Sequence, residues 1–264
     1  MARIARFVYQ DDVHYGVLEG GEALRIVQGD ILGDWSVSPT AVELSKVRLL
    51  APVAPPNVIA IGLNYRKHAI ESQMAIPERP VIFFKTTTAV CGPGDPIMLP
   101  TMAPDEVDYE CELVMVIGKA AKHVSPEKAL DYVLGYTCGN DVSARDCQTR
   151  LDAQWARGKS FDTFAPLGPW IETELDPDHV RVMTRLNGQV MQDSNTADLI
   201  FSCRELISYL SDAMTLLPGT VIMTGTPSGV GFARKPPVFL KPGDTVEIEI
   251  EGIGTLSNPV IAEP

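Results

Sequence analysis

Two glutamates separated by one residue lie in the stretch VDYECELVMVIG, residues 107–118. The stretch alternates like a β-strand, so Glu110 and Glu112 point to the same face, about 6.5–7 Å apart along the chain. Val114 and Val116 continue that face, which predicts that it is buried further along. Two carboxylates at the edge of a core repel each other and lose hydration, so they need a cation or a proton. The alternative is a solvated strand end that binds nothing.

A third carboxylate, Asp141, follows a predicted strand in YTCGNDVSARDCQ, residues 136–148. Ligand-binding side chains commonly collect where a strand ends, and Ser143 is a candidate N-cap for a helix that begins there. Three hard oxygen donors suit Mg²⁺ or Mn²⁺, and Ca²⁺ could substitute. Such a site would remain negative after binding one divalent cation, so an anionic substrate would need nearby cations, for which Arg145 and Lys159 are candidates. The alternatives are plain surface charges and a structural Ca²⁺ site in a non-catalytic protein.

His68 and Glu71 are three residues apart in GLNYRKHAIESQM, residues 62–74. On a helix, this spacing puts the two side chains on one face and within reach of each other. A carboxylate beside a histidine orients the imidazole and raises its basicity, as a general base requires. The segment could then be a mobile lid that closes over substrate. The alternative is a surface pair without a catalytic role.

The loop TGTPSGVGF, residues 224–232, is rich in glycine and follows the predicted strand TVIM. It lacks the Gly-Lys-Ser/Thr ending of a P-loop and opens no predicted helix, so the sequence argues against nucleotide binding. Glycines allow a backbone to approach a ligand closely, and Thr226 would offer a hydroxyl and an N–H there. A plain tight turn is the alternative.

The bulk composition is that of a globular enzyme or binding protein of 264 residues, with 22 basic and 34 acidic residues and a net charge of −12. Such an acidic chain repels phosphate backbones, so we expect no nucleic-acid partner. Five scattered cysteines without a CxxC pair predict buried thiols rather than disulfides or a zinc site. We see no signal peptide and no apolar run of membrane-spanning length, which predicts a cytoplasmic protein with no membrane partner.

Strands dominate the elements that must position these residues. Residues 1–50 read as a small β-rich unit, and the proline-rich segment APVAPPN marks the start of a catalytic domain spanning 51–264. Asn187-Gly188 predicts a two-residue hairpin between two strands of that domain.

Helices are few. Ser202 and Glu205 predict a capping box for a helix that ends at Pro218-Gly219, and a shorter helix is predicted from Ser125-Pro126 to near Gly135. So few helices cannot supply a parallel strand–helix–strand sheet. The sequence therefore predicts a mainly β (α+β) fold with an antiparallel or mixed sheet, rolled or sandwiched, and helices at its edges.

Several of these segments occur together, in this order, in one family. The chain resembles the fumarylacetoacetate hydrolase superfamily over roughly residues 55 to 260, in the stretches IGLNYRKHAIE, VDYECELVMVIGK, GYTCGNDVSARDCQ, RGKSFDTFAPLGPW, RLNGQVMQ and VIMTGTPSGVG. The segment GFARKPPVFLKPGD is most similar to the branch of domain-containing proteins that includes acylpyruvases, oxaloacetate decarboxylases and oxaloacetate tautomerases.

The resemblance implies a mixed β-sandwich roll, a homodimer and a catalytic Mg²⁺ or Mn²⁺. It implies three metal ligands, namely Glu110, Glu112 and Asp141. It implies three catalytic side chains, namely the dyad of His68 and Glu71 and the lysine Lys159. It implies substrate contacts from three further residues, namely Arg145, Gln148 and Thr226.

Two departures from the family pattern bear on the substrate. Full fumarylacetoacetate hydrolases supply a fourth acidic ligand from the segment that reads IGLNY here, yet no Asp or Glu lies between Asn57 and Glu71. They also carry a much larger N-terminal domain. Both departures argue against fumarylacetoacetate itself as the substrate.

The sequence therefore predicts a divalent-metal-dependent enzyme that acts on an anionic, enolisable 2-oxo acid or acylpyruvate through a metal-stabilised enolate. C–C bond hydrolysis or decarboxylation is the first expectation. Oxaloacetate keto–enol tautomerisation or 2-hydroxydienedioate isomerisation is the alternative within the same chemistry, and a Ca²⁺-binding β-protein is the alternative outside it.

Overall fold

Short runs of β-branched and aliphatic residues, broken by glycine, proline and aspartate, give this chain many strands and few helices. The computed structural model describes residues 2–264. In chain order its strands are β1 (Arg3–Tyr9), β2 (Asp12–Glu19), β3 (Ala23–Gly29), β4 (Trp35–Glu43), β5 (Arg48–Leu50), β6 (Val58–Gly62), β7 (Val81–Lys85), β8 (Val90–Cys91), β9 (Ile97–Leu99), β10 (Val107–Asp108), β11 (Cys111–Ile117), β12 (Val133–Asn140), β13 (Ser143–Ala144), β14 (Ala165–Glu172), β15 (Arg181–Leu186), β16 (Gln189–Asn195), β17 (Val221–Met223), β18 (Thr245–Ile250) and β19 (Gly254–Ala262). The α-helices are α1 (Arg66–Glu71), α2 (Ala156–Lys159) and α3 (Cys203–Ala213). The prediction of a mainly β fold with few helices is confirmed.

The strands form one large mixed sheet and two smaller ones. The large sheet runs in the order β4-β3-β2-β1-β14-β12-β11-β17-β6-β7, with β5 beside β1 and β8 beside β14. A second sheet has the order β16-β15-β18-β19-β9, and β10 pairs with β13. Most pairs are antiparallel, whereas β17 with β6, β14 with β8 and β19 with β9 are parallel.

The strand β11 lies at the centre of the molecule and is buried on both faces. Leu113 and Met115 belong to the core that includes the second sheet, whereas Val114 and Val116 belong to a core on the opposite face. The large sheet and the second sheet therefore pack against each other through β11. The face that carries Glu112 is continued by Val114 and Val116, so this glutamate opens onto an apolar layer rather than onto solvent.

The N-terminal strands continue the large sheet. β1 pairs with β14 through Arg3 opposite Glu172 and Ile4 opposite Ile171, and Arg3 makes an ion pair with Glu172 at 3.1 Å. The division into residues 1–50 and 51–264 stays a prediction. The predicted hairpin at Asn187-Gly188 joins β15 and β16, with φ values of 51° and 80° at its two turn residues, as a type I′ turn requires.

The helices begin where the sequence predicted but end earlier. Ser202 and Glu205 form the predicted capping box at the start of α3. α3 ends at Ala213, before Pro218, because Leu216 pairs with Ala121 in an isolated β-bridge that draws the chain into an extended path. The predicted helix after Ser125 is a 3₁₀ helix, Pro126–Tyr132, and it gives way to β12 before Gly135.

Candidate active site

Three carboxylates converge where β11 and β12 meet. These antiparallel strands pair Cys111 with Asn140, so Asp141 comes to lie beside Glu110, and its backbone N–H donates to the Glu110 carbonyl at 2.9 Å. Glu110, Glu112 and Asp141 are at most 5% exposed, and one oxygen from each lies within 4.8 Å of the others. We call these three residues the acidic triad. The structure thus brings together the three residues that the sequence proposed as metal ligands.

The stretch 107–118 is not one continuous strand. β10 ends at Asp108 and β11 begins at Cys111, so Glu110 lies in the interruption between them. Ser143 was expected to cap a helix. It lies instead in the short strand β13, where it pairs with Asp108 of β10. The interruption lets Asp108 turn to the backbone N–H groups of Gly231 and Phe232, at 2.7 and 3.0 Å.

Two lysines face the acidic triad. The ammonium of Lys159, at the end of α2, lies 2.8 Å from Oε2 of Glu110 and 2.8 Å from Oδ2 of Asp141. Lys85, the last residue of β7, contacts Oδ1 of Asp141 and donates to the Val142 carbonyl at 3.1 Å. Sequence reasoning missed Lys85, although a lysine that ends the apolar strand VIFFK is a recognisable signal.

Arg145 lies on the other side of Glu110. One of its nitrogens is 2.7 Å from Oε1 of Glu110 and 2.8 Å from Oδ2 of Asp108. Another donates to the Gln148 side chain at 2.8 Å, and the guanidinium lies 4.4 Å from the ring centroid of Phe232. The buried guanidinium therefore contacts four side chains, which fix its position and orientation.

The charges of this cluster act on one another. Burial alone would raise the pKa of Glu110, but Lys159 and Arg145 outweigh it and hold that pKa far below its usual value. Burial alone would lower the pKa of Lys159, but Asp141 and Glu110 hold it above its usual value. Burial lowers the pKa of Lys85, despite its ion pair with Asp141.

Glu112 is the member of the acidic triad without a cation. Within residues 2–264 it has no ion pair, and its carboxylate accepts a hydrogen bond from the N–H of Gly225 at 2.7 Å. Burial, together with the negative charges of Asp141 and Glu110, raises the pKa of Glu112 well above its usual value. A divalent cation between the three side chains would relieve this repulsion, so the donor set fits a hard cation. Lys159 already contacts two of the three carboxylates, so a cation would compete with it for those oxygens.

The predicted dyad is present in α1. Nδ1 of His68 lies 2.9 Å from Oε1 of Glu71, and His68 is 6% exposed. Preceding α1, the buried Asn64 donates to the Thr224 carbonyl at 2.7 Å and to the Phe201 carbonyl at 3.0 Å. These hydrogen bonds anchor the chain to the rest of the protein just before α1 begins. Motion of this segment as a lid stays a prediction.

The glycine-rich loop after β17 supplies amides to three carboxylates of the site. Gly225 donates to Glu112, Gly229 donates to Glu71, and Gly231 donates to Asp108. Gly229 has a φ of 103°, and a Cβ at Gly231 would lie 1.9 Å from the Val238 carbonyl oxygen. These three backbone N–H groups of the loop therefore donate to side chains of the protein itself.

One cavity of about 330 Å³ lies at this site, and Glu71, Glu112 and Asp141 are not among its described lining residues. Six of the predicted site residues line it, namely His68, Glu110, Arg145, Gln148, Lys159 and Thr226. The Thr226 hydroxyl accepts a hydrogen bond from the buried Gln192 amide at 2.8 Å. Gln192 also accepts from the Cys111 N–H and the Thr184 hydroxyl, and it was missed because its role is visible only across strands.

Comparisons with known proteins identify the family of this chain. The family model described as fumarylacetoacetate (FAA) hydrolase C-terminal matches residues 57–261, and one described as Rv2993c-like, N-terminal, matches residues 2–52. The chain belongs to the fumarylacetoacetate hydrolase family. This confirms the resemblance found in the sequence motifs.

Individual relatives and a solved structure of this family are close in sequence. The Dictyostelium discoideum fumarylacetoacetate hydrolase domain-containing protein 2 homolog is 50% identical over 238 residues, covering 85% of this chain and 78% of the relative. The Xenopus laevis oxaloacetate tautomerase fahd2, mitochondrial, is 47% identical over 222 residues, covering 82% of this chain and 69% of the relative. The crystal structure of 5-carboxymethyl-2-hydroxymuconate delta-isomerase from Mycobacterium smegmatis has a TM-score of 0.90 and 46% identity, covering 99% of this chain and 100% of that one.

No helix in residues 2–264 is both long and apolar enough to cross a membrane. A cytoplasmic location stays a prediction, and the Xenopus relative is named as mitochondrial.

Proposed function

We propose that this protein is a metal-dependent isomerase or tautomerase of enolisable 2-oxo acids, for which oxaloacetate is the first substrate to test. The carrying observation is a cavity lined by Glu110, Lys159 and His68, with the rest of the acidic triad packed beside Glu110 and with Glu71 beside His68. The names of the relatives, an oxaloacetate tautomerase and a muconate isomerase, favour proton movement over the C–C cleavage that the sequence put first.

Glu110, Glu112 and Asp141 would hold Mg²⁺ or Mn²⁺. When bound, the cation would supply positive charge that lowers the free-energy cost of removing a proton next to the 2-oxo group.

Arg145 would bind the substrate carboxylate. Its Nε and one terminal nitrogen are paired with Asp108 and Glu110, and its other terminal nitrogen donates to Gln148 and keeps one N–H for the substrate. The Thr226 hydroxyl offers a further hydrogen bond to the substrate from the same cavity.

His68 would move the proton at carbon. Its Nδ1 is engaged by Glu71, so Nε2 is the nitrogen left for proton transfer, and the carboxylate stabilises the imidazolium that forms. Lys159, which is protonated because Asp141 and Glu110 hold its pKa high, would place an ammonium beside the developing oxyanion. The ring of Phe232 lies 6.5 Å from the imidazole and 4.4 Å from the Arg145 guanidinium, so it limits the water around both.

C–C cleavage is the second candidate. It is favoured by the same His68–Glu71 geometry, because a histidine oriented by a carboxylate can also take a proton from water. Hydrolysis and tautomerisation then differ in whether water or carbon gives up the proton.

The test follows two products in one reaction. Enol oxaloacetate is mixed with the protein and Mg²⁺, and enol absorbance and pyruvate release are recorded together. A tautomerase speeds the loss of enol without pyruvate, and EDTA abolishes the effect. Pyruvate released in proportion to the lost enol would overturn the proposal in favour of decarboxylation. Acetylpyruvate, as a parallel substrate, reports on C–C hydrolysis.

A homodimer is proposed from the family resemblance alone. Light scattering coupled to size-exclusion chromatography would give twice the mass of the chain if it is correct.

A further inference from the structure

The cavity continues past Lys159 along an aromatic wall. The ammonium of Lys159 lies 5.2 Å from the ring centroid of Phe83. Phe83 in turn meets Trp155 edge to face, with ring centroids 5.7 Å apart and an interplanar angle of 74°. Both rings line the cavity, so a ligand that reaches beyond Lys159 meets two aromatic surfaces.

Trp155 is fixed in place by its backbone and by a glycine. Its carbonyl accepts from the Lys159 N–H at 3.2 Å, so one turn of helix carries both the indole and the ammonium. A Cβ added at Gly62 would lie 2.5 Å from Cζ3 of Trp155. The indole therefore packs directly on the backbone at the end of β6, in a position that any side chain at residue 62 would disturb.

Lys159 is the charged group that contacts this wall, and its ammonium is already paired with Glu110 and Asp141. The cations among the described lining residues of the cavity are Arg145 and Lys159, and each is paired with the carboxylate of Glu110. Apart from Glu110 and His68, the rest of the cavity lining is neutral and includes Ile61, Leu63, Met74, Ser72 and Thr149. A second carboxylate placed against the indole would therefore lose hydration without gaining a cation that lacks a carboxylate partner.

The cavity is also larger than a small oxo acid requires. Its volume of about 330 Å³ equals the space of roughly eleven water molecules at about 30 Å³ each. Oxaloacetate has only four carbons and five oxygens, so the space along the wall can take an additional group.

We propose that Trp155, held by Gly62 and Phe83, is a specificity-determining residue that binds a flat, apolar or conjugated arm at the end of the substrate remote from its 2-oxo acid group. This inference rests on the proposed function, because it assumes that the 2-oxo acid end lies at the acidic triad. Among the 2-oxo acids that the site accepts, those with an unsaturated or aryl arm would then bind more tightly than oxaloacetate, which has no such arm.

A matched pair of inert probes tests the inference by binding rather than by turnover. Oxamate and N-phenyloxamate share the carbonyl and carboxylate, cannot enolise, and differ by one phenyl ring. Their dissociation constants are measured by calorimetry on the full-length protein in Mg²⁺. We expect the phenyl group to tighten binding about tenfold, and Trp155→Ala to cut that ratio to less than about threefold. Trp155→Phe should keep most of the ratio, which controls for simple loss of folding.

Two further variants sharpen the test. Gly62→Ala retains the tryptophan but displaces its ring, so it should also lower the ratio. Trp35→Phe alters a tryptophan that does not line the cavity and should leave the ratio as in the wild type. If both probes bind with equal affinity, or if Trp155→Ala keeps the full ratio, the inference is wrong while the proposed function stands. If neither probe binds in the presence of Mg²⁺, both are overturned.

Discussion

Glu71 and Gly229 are joined by a forked hydrogen bond. The Gly229 N–H lies 2.9 Å from Oε1 and 3.0 Å from Oε2 of the carboxylate, and Oε1 is also 2.9 Å from Nδ1 of His68. The carboxylate that orients the imidazole is therefore itself oriented by a backbone amide. Its position does not depend on α1 alone.

Glu71→Gln should lower turnover by about 10- to 100-fold while the metal affinity stays near that of the wild type. The amide lacks the negative charge that stabilises the imidazolium of His68, and its NH2 group cannot accept a hydrogen bond from the Gly229 N–H. Steady-state kinetics and calorimetric Mn²⁺ titration separate the two effects. Glu78→Gln, an exposed glutamate beyond the end of α1, is the matched control. Full turnover in Glu71→Gln would contradict the dyad.

Asp141→Asn and His68→Ala should separate metal binding from proton transfer. Asp141→Asn removes a ligand charge and should weaken Mn²⁺ binding roughly 100-fold or more, with activity lost at ordinary metal concentrations. His68→Ala leaves the acidic triad intact, so it should bind Mn²⁺ normally and still lose about 10²- to 10⁴-fold in rate. Calorimetric titration of both variants is the measurement. Unchanged affinity in Asp141→Asn would remove that residue from the metal site.

Glu112 should make the metal-free protein sensitive to pH. Its folded-state pKa is raised above the ordinary value of 4.5. The associated stability is therefore present below about that pH and is lost as the pH rises through the folded-state pKa, at up to about 1.4 kcal/mol per pH unit. Urea unfolding in EDTA from about pH 5 to about pH 8 should show this fall in the wild type.

Glu112→Gln supplies the control for that experiment. It mimics the protonated side chain and should flatten the pH dependence in EDTA, while Mg²⁺ stabilises the wild type but not the variant. An ion that raises the melting temperature without affecting turnover would instead favour the structural Ca²⁺ site. If the stability of the wild-type protein in EDTA does not depend on pH, burial and the neighbouring carboxylates do not raise the pKa of Glu112.

The buried thiols should limit stability at high pH. Burial raises the pKa of Cys91 and of Cys203 to about 12, above the ordinary value of 9.0. The stability linked to these groups is complete below about pH 9 and declines as the pH rises towards 12, by about 1.4 kcal/mol per unit for each group. Urea unfolding at about pH 8, 9.5 and 11 checks the slope, which should be smaller in a Cys91→Ala, Cys203→Ala double variant. Rapid alkylation of the native thiols near pH 8 would contradict their burial.

The sequence predicted the acidic triad because both of its signals are local. The alternating sequence pattern predicts that Glu110 and Glu112 share one face. Asp141 follows directly after a predicted strand. The other half of the site is not local. Lys85 comes from β7 and Trp155 from the start of α2, and only the packing of those elements brings Lys85 to Asp141 and Trp155 to the cavity.

Element boundaries failed where tertiary pairing overrode local signals. The periodicity of Leu206, Leu210, Ala213 and Leu217 predicts a helix up to Pro218, but the bridge of Leu216 to Ala121 ends α3 at Ala213. The alternating pattern of 107–118 predicts one strand through Glu110, but the strand is interrupted after Asp108. The Asp108 carboxylate there accepts hydrogen bonds from the N–H groups of Gly231 and Phe232. Neither of these contacts can be predicted from the residues of the affected segment alone.

The three amides of the glycine-rich loop have a practical consequence for anyone who would transplant this chemistry. Copying the carboxylates onto another β-scaffold would reproduce the charges but not their alignment. Glu112, Glu71 and Asp108 take their orientation from the N–H groups of Gly225, Gly229 and Gly231. A successful graft would have to carry the loop intact, and a sequence library aimed at altered selectivity should diversify the aromatic wall while leaving those glycines untouched.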